Sequence, residues 1–163
     1  MVQCYNSGEN KQTVIDAYVN EIIQFAQILK DDMNVLRDYG TGVPIKMAEV
    51  YTLSLIEQNP GITVSALAQK QRRTKGTVSV NVTALENKGY IYREKRSGNE
   101  KVVHLYATSA GEKLSTLYNA YNAKQTRNTQ DKLLKNCSQE DINVFCRVLH
   151  QYLKTIVNNQ EAK

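Results

Sequence analysis

Between positions 72 and 83 the chain reads Arg72-Arg73-Thr74-Lys75-Gly76-Thr77-Val78-Ser79-Val80-Asn81-Val82-Thr83. On a helix, Val78, Val82 and Leu85 fall on one side, at spacings of four and three. Thr74, Lys75, Ser79, Val80 and Thr83 are left on the other. Small hydroxyls and a short apolar side chain let a helix lie deep in a groove of duplex nucleic acid. There they bond base edges or touch thymine methyls. Gly76 permits close backbone approach, Thr77 helps to set the helix start, and free amides at that start attract phosphate. Arg72 and Arg73 precede this helix. A second basic group follows it: Arg93, Lys95, Arg96 and Lys101. Cations so placed reach backbone phosphates or the narrow minor groove.

The elements that must hold these groups are legible in the pattern. Thr63 is suited to cap a short helix, 64–71, that turns Leu67 and Ala68 inward, and Thr74 to cap the next, 75–88, which Gly89 closes. Two helices joined by so tight a turn form a helix-turn-helix, whose second helix enters the major groove. The period then changes to two. Segments 90–96 and 101–107 alternate, are rich in aromatic and β-branched residues, and are separated by Ser97-Gly-Asn-Glu100. That predicts a β-hairpin, with Ile91, Val103, Leu105 and Ala107 packing inward. A hairpin directly after a helix-turn-helix makes a winged helix.

Around this centre the spacing predicts only helices. One spans 11–38, closed by Asp38-Tyr-Gly-Thr-Gly42. A second spans 44–58, with Pro44 in its first turn and Met47, Val50, Tyr51, Ser54 and Leu55 on its inner side. Asn59-Pro60-Gly61 stops it. Ser109-Ala-Gly-Glu112 has the form of a capping box opening a long helix, 109–135. Ser138-Gln-Glu-Asp141 opens a last one, 138–157, whose stripe is Ile142, Phe145, Val148, Leu149, Tyr152, Leu153 and Ile156. The fold class expected is mainly α with a small β-hairpin wing (α+β).

Charge separates the centre from its surroundings. The 163 residues carry 21 Lys+Arg and 16 Asp+Glu, for a net charge of +5. Residues 64–106 hold nine of the cations and only three of the acids; the other 120 residues are close to neutral. The whole positive excess therefore lies on the helix-turn-helix and wing, where it would draw polyanions.

The remaining composition excludes more than it suggests. No run is long and apolar enough for a membrane span, and the first residues lack the apolar core of a signal peptide, so a cytoplasmic protein without membrane contact is expected. Three cysteines (Cys4, Cys137, Cys146) with no CxxC spacing do not form a disulfide framework or zinc ribbon. Two histidines, His104 and His150, leave little for metal or imidazole chemistry, so no metal and no cofactor is expected. No GxSxG, phosphate loop or HExxH is present, which argues against an enzyme.

Residues 64–114 (VSALAQKQRRTKGTVSVNVTALENKGYIYREKRSGNEKVVHLYATSAGEKL) resemble the winged-helix core of the MarR family of bacterial transcription regulators. The likeness is carried by Leu67-Ala68, Thr77-Val78-Ser79, Leu85-Glu86, Lys88-Gly-Tyr-Ile91, Arg93 and Thr108-Ser-Ala-Gly111. There are departures. Asn99-Glu-Lys101 stands where the family's wing usually has Asp-x-Arg, so Lys101 replaces an arginine and its planar fork. Gln71 and Arg73 stand at positions often apolar in the family. So does Asn81, which either contacts the groove or partners the scaffold.

The resemblance implies a homodimer that sets two winged helices on successive major grooves of a pseudo-palindromic operator. In that division residues 1–43 and 109–163 form the dimerisation region and 44–108 the DNA-binding domain. Helices 11–38, 109–135 and 138–157 agree with it, since they carry more apolar residues than a small core needs. It also implies a repressor released by a small, aromatic effector, and Tyr18, Tyr39, Tyr51 and Tyr118 are candidates to line the effector cleft. Two other readings are a redox-responsive regulator using Cys4 and a winged-helix module that binds proteins instead of DNA. The charge on residues 64–106 disfavours the second.

Overall fold

A computed structural model describes the backbone of residues 14–96 and 99–161 and the side chains of 16–95 and 102–158. The elements are α1 (Val14–Ala17), α2 (Val19–Asp32), β1 (Leu36–Arg37), β2 (Ile45–Lys46), α3 (Met47–Gln58), α4 (Val64–Gln71), α5 (Lys75–Asn87), β3 (Ile91–Arg96), β4 (Asn99–Ala107), α6 (Ser109–Leu133) and α7 (Gln139–Glu161). Two antiparallel two-stranded sheets, β1–β2 and β3–β4, are the β-structure among the described residues. The chain divides into two compact units, Met1–Ser115 and Thr116–Lys163, with the boundary inside α6.

The first unit is built around α3. Val50, Thr52, Leu53 and Ile56 of that helix are fully buried, together with Ile45, Leu67, Val78, Val82, Leu85, Leu105 and Leu114. The expected inner side of this helix was only partly right. Val50 and Ser54 are buried, but Tyr51 is exposed, and Glu49, Thr52, Leu53 and Ile56 are buried instead. A helix covered from several sides has no single apolar stripe for periodicity to find.

Three boundaries also differ from expectation. The helix expected over 11–38 is interrupted at Tyr18 and ends at Asp32. There the Arg37 guanidinium pairs with the Asp32 carboxylate and also donates to its carbonyl oxygen at 3.3 Å. Leu36 and Arg37 leave the helix to pair with Lys46 and Ile45. Pro44 is accordingly not in a helical turn: it leads into β2, where Ile45 is extended and fully buried, and α3 starts at Met47. Nor does the stretch 38–42 close a helix, since α2 has already ended at Asp32; Asp38 instead organises a turn. Its carboxylate accepts the backbone N–H groups of Gly40 (2.8 Å), Thr41 (2.9 Å) and Gly42 (3.1 Å), turning the chain between the two strands. Those donors, Gly40 foremost, hold its pKa below the usual carboxylate value.

At the wing's exit the cap is Thr108, not Ser109. The Thr108 hydroxyl accepts from the Gly111 N–H at 3.2 Å and donates to the Gly89 carbonyl at 2.7 Å. Gly111 is required there. A Cβ on it would lie 2.1 Å from the Tyr90 carbonyl oxygen, which already accepts the Thr108 N–H.

In the second unit the reciprocal cap of α7 is present with aspartate in the acidic place. Ser138 donates to the Asp141 carboxylate through its hydroxyl (2.7 Å) and its N–H (2.8 Å), and the Asp141 N–H returns to the Ser138 hydroxyl at 3.1 Å. These bonds, the hydroxyl's first, lower the Asp141 pKa.

Candidate nucleic-acid interface

The helix-turn-helix forms as its local chemistry dictates. The Thr63 hydroxyl accepts from the Ala66 N–H at 3.2 Å, and Thr74 repeats the device on Thr77 at 3.2 Å. Each satisfies an otherwise orphaned amide of a helix start. The Thr74 and Thr77 hydroxyls also lie 2.9 Å apart in a mutual hydrogen bond, so both are engaged in setting the start of α5. Between the helices, Arg72 takes a left-handed conformation (φ 51°, ψ 45°), and its N–H closes the end of α4 on Gln69 and Ala68. That conformation costs a non-glycine residue about 1–2 kcal/mol. It turns the chain within two residues and brings Arg72, Arg73 and Lys75, all exposed, to the mouth of the turn.

On α5 the division of faces is sharp. Val78, Val82 and Leu85 have no exposed surface, whereas Ser79, Val80 and Thr83 face solvent, Val80 at 69%. An apolar side chain left so open beside hydroxyls is suited to a groove carrying both methyls and polar edges. The C-terminal end of α5 is pinned by an ion pair from Lys88 to the buried Glu49 of α3.

The wing is the expected antiparallel hairpin, with Ile91 opposite Ala107, Arg93 opposite Leu105 and an irregularity between Lys95 and Arg96. Arg93 and Lys95 share the hairpin face that carries Ile91 and Leu105. Lys95 is exposed. Arg93 is engaged within the chain: its Nε donates to Glu86 at 2.8 Å and its Nη2 approaches the Thr83 hydroxyl at 3.4 Å. It therefore braces β3 against α5. Arg96 and Lys101 occupy β3 and β4 near the tip, and their side chains lie outside the described residues.

Sequence reasoning missed two features. Asn81, left open between groove and scaffold, belongs to the scaffold: its amide donates to the Thr52 hydroxyl at 3.2 Å. Gln71 donates to the same hydroxyl at 2.9 Å. Polar residues at two positions often apolar in related winged helices were the available signal. The other omission is a cavity of about 250 Å³ bounded by Lys30, Met33, Asn34, Ala48, Tyr51, Gln71, Arg73, Thr77 and Asn81. Of the four tyrosines proposed for an effector cleft, Tyr51 alone borders it. Tyr39 and Tyr118 are buried and Tyr18 is exposed at the start of α2. Cys4 lies outside the described residues; Cys137 and Cys146 are exposed free thiols. Among the described residues, no helix is long and apolar enough to cross a membrane, and no group of three or more His, Cys, Asp or Glu could hold a metal ion.

A capped two-helix turn, a second helix with one face open, and a basic hairpin directly after it define a winged-helix protein of the nucleic-acid-binding class. Comparison with known proteins makes this specific. Residues 45–103 match the sequence model of the MarR family. The chain is 31% identical over 127 residues to the uncharacterized HTH-type transcriptional regulator YhjH of Bacillus subtilis (strain 168), covering 73% of each. It therefore belongs to the MarR family and is a winged-helix transcription regulator rather than an enzyme. Solved structures share its fold. The transcriptional regulator SlyA aligns at 21% identity and TM-score 0.70, over 91% of this chain and 98% of that one. Streptococcus pneumoniae FabT in complex with DNA aligns at 24% and 0.65, over 88% and 96%. The S. aureus MepR–DNA complex aligns at 22% and 0.64, over 86% and 96%.

Proposed function

We propose that this regulator binds a pseudo-palindromic duplex operator as a homodimer, with α5 of each copy in a major groove. The observation that carries the reading is the open face of α5. Ser79, Val80 and Thr83 are exposed on a helix whose other face is completely buried, beside a turn presenting Arg72, Arg73 and Lys75. FabT and MepR, which share the fold, were solved with DNA. In this reading Ser79, Val80 and Thr83 read base edges, with Lys75 at the helix start, while Thr74, Gly76 and Thr77 set that start. Arg72, Arg73, Lys95, Arg96 and Lys101 meet phosphate or the minor groove, and Arg93 holds the wing to the reading helix.

Pairing of two copies is supported by apolar surface outside this region. No residue of α2 is buried, and Ile23, Phe25, Ile28 and Leu29 are all half-exposed or more. On α7, Phe145, Val148 and Leu153 are more than half exposed. Continuous apolar stripes of this kind mark association surfaces, and a two-fold dimer is their commonest use. Residues 1–43 and 109–163 would supply that region and 44–108 the DNA-binding domain. Repression relieved by a small aromatic effector is supported by the cavity at Tyr51, whose rim holds the cations Lys30 and Arg73 and whose wall includes the recognition helix.

A binding titration against salt tests the assignment. Lys75→Ala and Lys95→Ala should each weaken binding on all sequences and reduce the log–log salt slope by about one unit. Ser79→Ala and Thr83→Ala should leave the slope intact and change which bases are preferred. If neither class changes DNA binding, the interface is misplaced.

A further inference from the structure

Inside the apolar core of the first unit, one hydroxyl joins three helices. Thr52 of α3 is fully buried. Its hydroxyl donates to the Ala48 carbonyl oxygen at 2.7 Å. The Thr52 hydroxyl oxygen in turn accepts from Nε2 of Gln71, the last residue of α4, at 2.9 Å, and from Nδ2 of Asn81, in the middle of α5, at 3.2 Å. Asn81 Nδ2 also lies 3.4 Å from the Ala48 carbonyl. A hydroxyl has one proton and two lone pairs, so this one is saturated.

We infer that Thr52 is a positioning residue for operator reading: with Gln71 and Asn81 it fixes the rotation of α5 and the seat of the turn that precedes it. Apolar packing is non-directional, so the burial of Val78, Val82 and Leu85 holds α5 on the core without setting its roll closely. Hydrogen bonds do set it, because they weaken steeply outside a narrow window of distance and angle. A roll of about 20° would carry the outer side chains of a helix through about 2 Å, given a radius of about 5–6 Å. That is enough to break contacts from Ser79 or Thr83 to base edges. Asn81 ties the roll to α3. Gln71 ties the end of α4, next to Arg72 and Arg73, to the same atom. Thr52 itself touches no surface a ligand could reach, so any effect it has on DNA passes through these two amides.

The inference rests on the proposal that α5 reads DNA, and the test separates the two. The full chain and its Thr52→Val and Thr52→Ser variants are titrated with a duplex selected by the wild type and with a scrambled duplex, well below the melting temperature of each. Valine keeps the shape and removes the hydroxyl; serine returns it. Thr52→Val should lose about tenfold in affinity for the selected duplex, the size expected when half-buried amides lose their shared acceptor. Affinity for scrambled DNA and the salt slope should be unchanged, and Thr52→Ser should recover most of the loss. A lower melting temperature accompanies a merely structural role too, so the ratio of the two affinities is the readout. A folded Thr52→Val protein with wild-type discrimination overturns the inference and leaves the DNA reading standing. If that variant does not fold, Gln71→Leu, which removes the tie to α4 alone, should lose discrimination several-fold, and unchanged discrimination overturns the inference equally. A wild-type chain that prefers no duplex over another ends both.

Discussion

Two amphipathic helices in this molecule have opposite fates. On α5 the large apolar residues are fully buried apart from Val80, and its start is capped by Thr74 and Thr77. On α2 an equally clear apolar stripe leaves no residue buried, and its first residue has no side-chain cap. The contrast extends outward from each. Around α5 the hairpin, α3 and α4 complete a core, and the exposed residues are mostly polar, with hydroxyls and cations prominent and Val80, Tyr92 and Tyr51 the large exceptions. On α7, as on α2, the exposed residues include phenylalanine, leucine, isoleucine and valine. One region satisfies its own apolar surface and presents polar groups; the other presents the apolar surface itself. This is how the chain would look if the first region met DNA and the second met a copy of itself.

Mutations can break that contrast at several strengths. The largest effect is expected on the unfinished side. Val148→Glu combined with Phe145→Glu places two charges on the α7 stripe. It should convert a dimer into a monomer by light scattering. Operator affinity should fall by at least about a hundredfold, because the second half-site is no longer held by the first. If the doubly substituted chain keeps the wild-type mass, α7 is not a pairing surface.

Next in size is a test of the finished side. Gly111→Ala drives a methyl against the Tyr90 carbonyl and should destabilise the chain by about 1–3 kcal/mol in chemical denaturation. An unchanged midpoint would mean that α6 does not approach the wing's base so closely. A smaller effect separates the two roles assigned to Arg93. Glu86→Gln removes a negative charge beside the basic surface, which on charge alone should strengthen DNA binding. If Arg93 braces the wing through Glu86, affinity should instead fall by no more than about threefold, in keeping with an exposed pair. A gain in affinity would return Arg93 to the phosphate contacts.

The smallest effect is on pH. Asp38 and Asp141 have pKa values held below 3.8 in the folded chain, so each contributes stability above that value and loses it as pH falls through the folded pKa. Asp38→Asn and Asp141→Asn should melt slightly below the wild type at pH 7. The gap should begin to narrow as pH falls below the ordinary carboxylate value and close only once pH has fallen through the lowered folded-state pKa, where the wild-type carboxylates are themselves protonated. A gap that persists undiminished at low pH would show that the charge is not what these turns use.

What the sequence revealed follows the same division. Thr63, Thr74, the buried trio of α5 and the hairpin after it were all legible, because each depends on neighbours within a few residues or on a strict period. The end of α2 was not. Met33 and Leu36 continue its helical spacing, and what ends the helix is the pairing of Leu36 and Arg37 with residues beyond the Asp38 turn. The cap of α6 was misread by one place. Ser109 fits the local pattern, but Thr108 is also bonded to Gly89, 19 residues away in sequence. Asn81 was ambiguous for a chemical reason, since an amide serves a base edge and a buried hydroxyl equally well. Only the position of Thr52 decided it.

The most direct measurement is selection of bound duplexes from random DNA by the full chain. Two recognition helices related by a two-fold axis should enrich two inverted half-sites about one helical turn apart. Enrichment of an isolated single half-site, or of no sequence at all, would contradict that arrangement.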